Sequence, residues 1–250
     1  MSESKKINWL GTWLSFSVLK NLLAYRISGE KNKFWIQVPK TNKATIYNRV
    51  DFILDFCKNK NVLHIGCTDF PFTRQKFENK SLLHENLKKV AKKVTGLENN
   101  VASIKEYFEL TGDQNIFYCD IMKSYPIEIE DEQFDLILLS EVLEHLVNPS
   151  EAIEVLKNSF PGGTKVLVTV PNYASVQAMA ASLNQKETIH PDHYWYFSPY
   201  TLCRLFQEKD FELNELNFGM YYQMKTKINI VMKKFPFNGD CIIAIFSIKK

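Results

Sequence analysis

The stretch FDLILLSEVLEHLVNP, residues 134–149, is the part of the sequence that most clearly indicates a fold. Its first part, FDLILL, is strongly apolar, as expected for a strand that is buried on both faces of a sheet. The run ends at Ser140 and Glu141, and a polar segment with helical spacing follows. A buried strand that passes through a polar turn into a helix is the repeating unit of α/β proteins.

The same unit recurs on both sides of this stretch. Further strands are predicted by short apolar runs at Asn61–Ile65, Val94–Leu97, Asn115–Cys119 and Thr164–Val170. Helices are predicted at Lys43–Lys58, Leu82–Lys93, Val101–Leu110, Ser150–Phe160 and Ser198–Lys209. This alternation predicts a mostly parallel sheet with helices on both faces. Two final apolar runs, Phe211–Phe218 and Cys241–Lys249, have no helix between them and predict an antiparallel hairpin at the sheet edge.

The composition is that of an ordinary globular protein. Of the 250 residues, 45% are hydrophobic and 24% are charged, which fits one large domain and argues against extended disorder. The formal net charge of +3 argues against electrostatic binding of nucleic acid by the whole molecule. The five cysteines are odd in number and form no C-x-x-C pair, so we expect no disulfide framework, no cysteine zinc site and a cytoplasmic location.

Residues 1–43 are predicted to form a helical extension, and residues 44–250 the α/β domain. Residues 1–50 hold nine Lys and Arg against Glu3 and Glu30, a local charge of +7, which suits either a solvated edge or an anionic partner. The apolar stretch Ile7–Tyr25 is interrupted by polar residues, so it predicts an amphipathic helix and not a transmembrane segment. Such a helix packs on a core or makes peripheral membrane contact.

Polar residues follow the predicted strands at the end where α/β sheets bind ligands. Gly66, Glu98, Asp120 and Ser140-Glu141 occupy these positions. A glycine lets the backbone approach a ligand closely, and carboxylates accept hydrogen bonds from ribose hydroxyls and from an adenine amino group. Each acid could instead cap the helix that follows it. Their order along the chain favours a ligand that contains adenosine.

These runs resemble the class I methyltransferases that depend on S-adenosyl-L-methionine (SAM). The resemblance rests on NVLHIGC (61–67), VTGLE (94–98), CD (119–120) and the 134–149 stretch, and it covers residues 44–250. It implies a Rossmann-like sheet of seven strands, mostly parallel, with an antiparallel last strand. It also implies that SAM is the cofactor, bound by Gly66, Cys67, Thr68, Asp69, Glu98, Asp120, Ile121, Ser140 and Glu141.

The glycine loop departs from the family pattern. The family has G-x-G-x-G, whereas residues 66–70 read GCTDF. Positions 66 and 98 are 32 residues apart, more than the roughly 20 of dinucleotide-binding folds, so residues 71–86 look like an insertion that reshapes or covers the methionine end of the site. The missing glycines argue against NAD, whose pyrophosphate needs a close backbone approach. Thr68 and Asp69 can contact the methionine end instead.

Glu141, Glu144 and His145 have the spacing i, i+3 and i+4, so they would share one face of a helical turn. Together with a downstream histidine they can hold Mg²⁺, Mn²⁺ or Zn²⁺. This pattern resembles two metal-dependent groups, the 2′-O-methyltransferases of small RNAs and the catechol methyltransferases of ubiquinone synthesis. That resemblance implies that His193 is the fourth ligand. Alternatively, the acids cap the helix, the histidine packs, and no metal binds. The predicted catalytic residues are His145, His193 and Glu144, with a histidine as general base.

Three functions remain open at this point. The first is SAM-dependent O-methylation of a small molecule or saccharide. The second is metal-dependent 2′-O-methylation of RNA, for which the basic N-terminal segment would bind the nucleic acid. The third is a non-catalytic scaffold that docks through Trp9, Trp13 and Phe16. The acids at the strand ends favour an enzyme, whereas the altered glycine loop favours the scaffold.

Overall fold

The computed structural model describes residues 44–222 and 235–249. The predicted N-terminal extension and its amphipathic helix Ile7–Tyr25 lie outside these residues, as do Trp9, Trp13 and Phe16. The predicted domain boundary at residue 43 therefore stays a prediction. Within the described residues, no helix is long and apolar enough to cross a membrane.

The described residues form an eight-stranded sheet in the order β1-β7-β8-β6-β5-β2-β3-β4. The strands are β1 Ile46–Asn48, β2 Asn61–Ile65, β3 Lys93–Glu98, β4 Ile116–Tyr118, β5 Leu136–Ser140, β6 Lys165–Pro171, β7 Phe211–Met220 and β8 Cys241–Ile248. β8 runs antiparallel to both β6 and β7, and every other pair of neighbours is parallel. The predicted Rossmann-like α/β fold, with its antiparallel last strand, is confirmed.

The sheet has one strand more than predicted. β1 pairs in parallel with β7, placing Ile46 opposite Phe218. The sequence predicts a helix over Lys43–Lys58 because Ile46, Val50 and Ile53 also fit helical spacing. A strand of three residues is too short to show a period of its own, so the pattern does not separate it from the helix that begins at Arg49. The predicted hairpin of β7 and β8 is therefore not at the edge of the sheet, because β1 is the edge strand beside β7.

Seven α-helices connect the strands in the described residues: α1 Arg49–Cys57, α2 Thr73–Glu78, α3 Leu83–Lys88, α4 Val101–Thr111, α5 Pro149–Ser159, α6 Val176–Leu183 and α7 Pro199–Gln207. The side chains of Asn48, Asn100 and Asn148 cap three of them by accepting a backbone N–H of the first turn. The sequence does not predict α2 or α6. Short 3-10 turns occupy Ile127–Ile129, Leu143–His145 and Pro236–Asn238.

The sheet is buried on both faces, and β5 shows how. Ile137 and Leu139 belong to one apolar cluster, while Leu136 and Leu138 belong to another. All four side chains are at most 1% exposed. Burial on both sides explains why the strand is continuously apolar and not alternating. Ser140 and Glu141 follow these buried residues at the carboxyl end of β5.

The strand order changes direction between β2 and β5. From β2 the chain adds β3 and β4 on one side, and then β5 and β6 on the other. The carboxyl ends of these parallel strands lie at one edge of the sheet, and a crevice opens where the order reverses. Ligands of open α/β sheets bind at this switch point.

Candidate cofactor and active site

A cavity of about 680 Å³ opens at the carboxyl ends of β2, β3 and β5. Most of the predicted cofactor residues line it: Gly66, Asp69, Glu98, Asp120, Ile121, Ser140 and Glu141. His145 and His193, which are predicted to be catalytic, line the same cavity. The fold thus brings together residues that are up to 127 positions apart, from Gly66 to His193.

Gly66 has the backbone conformation and the space that the loop after β2 requires. Its φ is +71°, in the left-handed region that favours glycine. A Cβ atom at this position would lie 2.8 Å from Val142 Cγ2, closer than packed atoms come. Asp69, three residues on, also has a positive φ of 59°. Two residues of the loop therefore have a left-handed backbone conformation, although only one of them is glycine.

Cys67 and Thr68 are predicted to bind the cofactor, but neither lines the cavity. Both are buried, at 1% and 0% exposed. The Thr68 hydroxyl hydrogen bonds to Glu98 Oε2 at 2.7 Å and to the Ser103 hydroxyl at 2.9 Å. Because the loop turns these side chains into the protein interior, Thr68 hydrogen bonds to Glu98 and helps to hold its carboxylate in place. The Thr68 side chain is turned towards Glu98 and Ser103 here, and its predicted contact with the methionine end stays a prediction.

Glu98 links two segments of the cavity wall by hydrogen bonds. Its Oε2 accepts hydrogen bonds from the Thr68 hydroxyl and from the Thr68 backbone N–H, at 2.7 and 3.3 Å. Its Oε1 accepts from the backbone N–H groups of Asn99 and Asn100, at 2.9 and 3.1 Å. The side chain is only 7% exposed, yet it reaches the cavity. It ties the glycine loop to the start of α4.

Asp120 follows β4 and is more open to solvent. Lys123 forms an ion pair with it at 2.9 Å, and the Met122 backbone N–H donates to Oδ1 at 3.2 Å. The hydrogen bond from Lys123 is the main reason why the pKa of Asp120 lies below its usual value. Asp120 is therefore an ionised acceptor at neutral pH. Ile121 beside it adds an apolar wall.

Glu141 follows β5 in a strained turn, with φ at +57°. Its carboxylate accepts hydrogen bonds from the Thr169 hydroxyl at 2.8 Å and from the Tyr221 hydroxyl at 2.6 Å. Next to it, Ser140 Oγ accepts a 2.6 Å hydrogen bond from Arg49 Nη1. Arg49 and Tyr221 both line the cavity. The sequence predicts a role for neither of them.

Glu144 forms a cluster with His145 and His193, the two histidines that line the cavity. Each offers one ligand atom, and these atoms all lie within 4.8 Å of one another. Glu144 is 0% exposed, and neither carboxylate oxygen has a hydrogen-bond partner among the described residues. Burial, and secondarily the charge of Glu141, raises the pKa of Glu144 well above its usual value. Burial lowers the pKa of His193 to about 4, so this imidazole is neutral at pH 7.

Two expectations about this cluster need correction. Glu141 does not share a helical face with Glu144 and His145, because its positive φ breaks the helix and the 3-10 turn begins only at Leu143. It consequently lies outside the group of three possible metal ligands. Glu144 does not line the cavity, so as a predicted catalytic residue it would have to act through His145 or His193.

The insertion that the sequence predicts forms one wall of the cavity. Pro71, Phe72, Lys76 and Ser81 of this segment line it, next to Phe70 at the end of the glycine loop. Phe70 and Phe72 are 57% and 48% exposed, which is high for phenylalanine. Lys76 makes an ion pair with Asp69 at 2.6 Å. Phe70 and Phe72 thus add aromatic surface to the cavity wall.

The sequence profile of a family described as "Methyltransferase domain" matches residues 34–216, well over half of the chain. The chain belongs to the class I SAM-dependent methyltransferases. Its cofactor is accordingly SAM, and it is an enzyme. This membership removes the scaffold hypothesis as an equal alternative, even though the glycine loop of this methyltransferase is altered.

Among curated proteins, the methyltransferase is similar to the ubiquinone biosynthesis O-methyltransferase of Hydrogenovibrio crunogenus. The two are 27% identical over 133 residues, which cover 51% of each chain. The match thus spans only about half the length of that relative. The substrate of the relative is therefore not carried over to this chain as a finding.

Solved structures share the fold at low identity. A chain of the Haloferax volcanii complex of the Trm112 activator with a putative methyltransferase superposes with a TM-score of 0.56, at 11% identity, over 80% of this chain and 88% of that chain. The small RNA methyltransferase HEN1 gives 0.56 at 14% identity, over 85% of this chain and 27% of that one. A SAM-dependent methyltransferase from Archaeoglobus fulgidus gives 0.52 at 16%, over 80% and 91%. These likenesses concern the fold alone.

Proposed function

We propose that this methyltransferase transfers a methyl group to an oxygen atom of a small molecule or saccharide, in the cavity between β2 and β5. One observation carries the proposal. The cavity joins Gly66, Glu98 and Asp120, which suit an adenosine ligand, to two imidazoles, His145 and His193, that suit a base. A cofactor site and a proton acceptor therefore open into the same space.

The residues present fit SAM, which supplies a methyl group on a sulfonium when bound. Asp120 is an ionised acceptor that suits the adenine amino group. Glu98 suits the ribose hydroxyls, although its oxygens already accept four hydrogen bonds. The Thr68 hydroxyl can release Glu98, because it has Ser103 as a second partner at 2.9 Å. A ribose hydroxyl can then take its place without leaving a buried group unpaired.

The histidines that line the cavity can serve as a base for an acceptor hydroxyl. Methyl transfer is an in-line displacement that depends mainly on alignment and on exclusion of water. A hydroxyl acceptor must also lose its proton, which a neutral imidazole can take. The rings of His145 and His193 are 4.5 Å apart, and His190 lies 5.3 Å from His193. His145 and His193 are the proposed bases, and Glu144 lies within 4.8 Å of them without a hydrogen bond to either.

The test of this proposal is a calorimetric titration with S-adenosylhomocysteine (SAH), which binds as SAM does but cannot react. We expect one SAH per chain. Replacing Asp120 with alanine should weaken binding by about 10-fold, the usual worth of a charge-assisted hydrogen bond. The matched control is Asp131→Ala, an exposed aspartate outside the cavity, which should bind SAH as the wild type does. Absence of SAH binding to the wild type would refute the proposal.

A divalent cation at Glu144, His145 and His193 is a second candidate feature, and the unpaired Glu144 carboxylate favours it. A buried carboxylate without a partner is costly unless it is protonated or coordinates a metal. One carboxylate and two neutral imidazoles are suitable ligands for Zn²⁺ or Mn²⁺ and acceptable ones for Mg²⁺. The described residues add no observation that favours RNA as the acceptor, so that alternative stays a prediction.

Glu144→Gln distinguishes these two states of the carboxyl group. If a metal is bound, the amide removes an anionic ligand. The affinity for Mn²⁺ or Zn²⁺ should then fall by more than the roughly 10- to 100-fold that is lost when a residue hydrogen-bonded to a metal ligand is replaced. Metal affinity is measured by equilibrium dialysis. Glu141→Gln is the matched control, since Glu141 lies outside the cluster, and it should keep the metal. A wild type that binds no metal would show that Glu144 is simply a protonated buried acid.

A further inference from the structure

Two buried histidines join one wall of the cavity to the central sheet. His64 lies on β2 and lines the cavity, while His84 is the second residue of α3. We call residues 71–88, which run from the start of the predicted insertion to the end of α3, the wall segment. The two Nδ1 atoms are 3.2 Å apart, and the rings stack with their centres 5.4 Å apart. The side chains are 2% and 0% exposed, so this contact is shielded from bulk water.

The packing around His84 leaves its ring no second hydrogen-bond partner. A Cβ atom at Gly96 of β3 would lie 3.0 Å from His84 Cε1, so the ring fills the space that this glycine leaves free. The ring of Tyr107 on α4 packs edge to face against His84, with centres 5.6 Å apart. His84 Nε2 is buried and has no hydrogen-bond partner among the described residues. Within those residues, His84 therefore depends on its bond to His64.

This contact suits two neutral imidazoles. The bond forms when one Nδ1 carries a hydrogen and the other presents its lone pair. A proton added to His84 would place a charge in the interior and an N–H at Nε2, where no acceptor lies. If both rings were protonated, two N–H donors and two like charges would face each other across 3.2 Å. The contact cannot persist in that state.

The charged and titratable groups that face the pair do not offset this cost. They come from every element packed against it: Arg49 of α1, Cys67 of the glycine loop, Glu85 and Lys88 of α3, Tyr107 of α4 and Asp113 after α4. Burial, followed by the charge of Lys88, lowers the pKa of His84 to about 4, although Glu85 and Asp113 act in the opposite direction. Burial, His84 and Arg49 lower the pKa of His64 well below its usual value. Both rings are therefore neutral at pH 7.

We propose that the contact between His64 and His84 is a pH-sensitive switch, which releases the wall segment from the sheet in mild acid and so opens the cavity. An imidazole that is released into water regains its ordinary pKa of about 6.5. Because the pKa values in the closed form are lower, the two histidines favour closure fully above that pH, and this contribution is lost as the pH falls. Phe72, Lys76 and Ser81 of the wall segment line the cavity, so its release removes one wall.

The other contacts of the wall segment respond little to pH in this range. Leu82 and Leu87 are buried apolar side chains and carry no titratable group. Arg74 forms an exposed ion pair with Glu106 at 3.1 Å, and both of these groups stay charged between pH 7 and pH 5. These contacts oppose release equally at both pH values. The change between the two pH values therefore comes mainly from the two histidines.

Hydrogen exchange, followed by mass spectrometry on the protein without ligand, tests the proposal. After correction for the intrinsic exchange rate, the protection of α3 should fall between pH 7 and pH 5 by about 25-fold if one histidine gains a proton, and by about 600-fold if both do. Helix α5 packs in the other apolar cluster and is the internal control. At pH 5 it should exchange at least about 10-fold more slowly than α3, because the sheet stays folded.

Two outcomes of this measurement would overturn the proposal. The first is that the protection of α3 does not depend on pH once the intrinsic rate is removed. The second is that α3 and α5 exchange at the same rate at pH 5, which would mean that the wall segment opens only when the whole domain unfolds. Neither outcome depends on which ligand the cavity binds.

A double variant shows whether the two histidines are responsible. His64→Leu combined with His84→Leu replaces both partners with apolar side chains of similar size, which leaves no buried group unpaired. The protection of its α3 should change by less than about 3-fold between pH 7 and pH 5. His190→Gln, which removes an exposed histidine outside the wall segment, should keep the wild-type response. A double variant that also keeps that response would overturn the proposal, and if it does not fold, the comparison of α3 with α5 in the wild type still decides.

The effect on the cavity is measured separately, by titrating SAH at both pH values. The wild type should lose more SAH affinity between pH 7 and pH 5 than the double variant does, because only the wild type opens. Equal losses would show that the wall segment does not close the cavity, against the proposal. Absence of SAH binding at pH 7 would instead refute the proposed function and leave the exchange result unchanged.

Discussion

Replacing Glu98 with glutamine is expected to lower SAH affinity by at least about 100-fold and to lower the free energy of unfolding by about 2–4 kcal/mol. The reason is that all four groups around the side chain donate to it: the Thr68 hydroxyl, the Thr68 N–H and the N–H groups of Asn99 and Asn100. A carboxylate accepts all four. An amide has only one accepting oxygen, and its NH₂ group must face donors in either orientation.

Two measurements check this expectation. Calorimetry gives the SAH affinity, and urea unfolding gives the stability of the protein without ligand. Glu109→Gln is the matched control, since Glu109 is exposed on α4 and makes only a distant contact with Lys105 at 3.9 Å. It should change neither quantity measurably. If Glu98→Gln keeps both values, the two loops do not depend on Glu98 and the described cavity wall is wrong.

The sequence predicts the strands of this fold well because the sheet is covered on both faces. β2, at Asn61–Ile65, is predicted with the bounds that the structure gives, and β5 is displaced by only a residue or two. Burial on both faces makes such strands continuously apolar, and this pattern can be recognised without knowing which strands pair with each other. The polar residues at the strand ends follow directly, so Gly66, Glu98 and Asp120 could be placed in one cavity.

The backbone at special turns could not be predicted in the same way. The i, i+3, i+4 spacing of Glu141, Glu144 and His145 fits a helix, but the positive φ of Glu141 interrupts it. A left-handed residue other than glycine or asparagine is uncommon, so spacing does not reveal it. Here the tertiary contacts of the Glu141 carboxylate with Thr169 and Tyr221 accompany that conformation. The cluster of possible metal ligands is therefore one residue smaller than predicted.

Arg49 escaped prediction for a different reason. No motif contains it, and it reaches the cavity because β1 pairs with β7, a contact between residues 46 and 218. Periodicity carries no information about such a long-range pairing.

The aromatic side chain of Phe206 packs helix α7 against the sheet. Phe206 is 0% exposed and stacks on Phe246 of β8, with ring centres 4.1 Å apart and planes 4° from parallel. It also meets Phe211, at the start of β7, edge to face at 5.2 Å. These three rings join the helix to both strands of the antiparallel hairpin. The hairpin in turn holds β1, and with it Arg49, against the sheet.

Phe206→Ala is therefore expected to lower the free energy of unfolding by about 3–5 kcal/mol, because it removes a large buried ring and leaves a cavity. Urea unfolding followed by circular dichroism measures this change. The matched control is Tyr200→Ala on the same helix, where the ring is 42% exposed and the cost should stay within about 0.5 kcal/mol. A loss below about 1 kcal/mol for Phe206→Ala would mean that α7 is not packed on β7 and β8 as described. A large loss with an unchanged SAH affinity in the folded protein would show that the ring supports the hairpin without shaping the cofactor site.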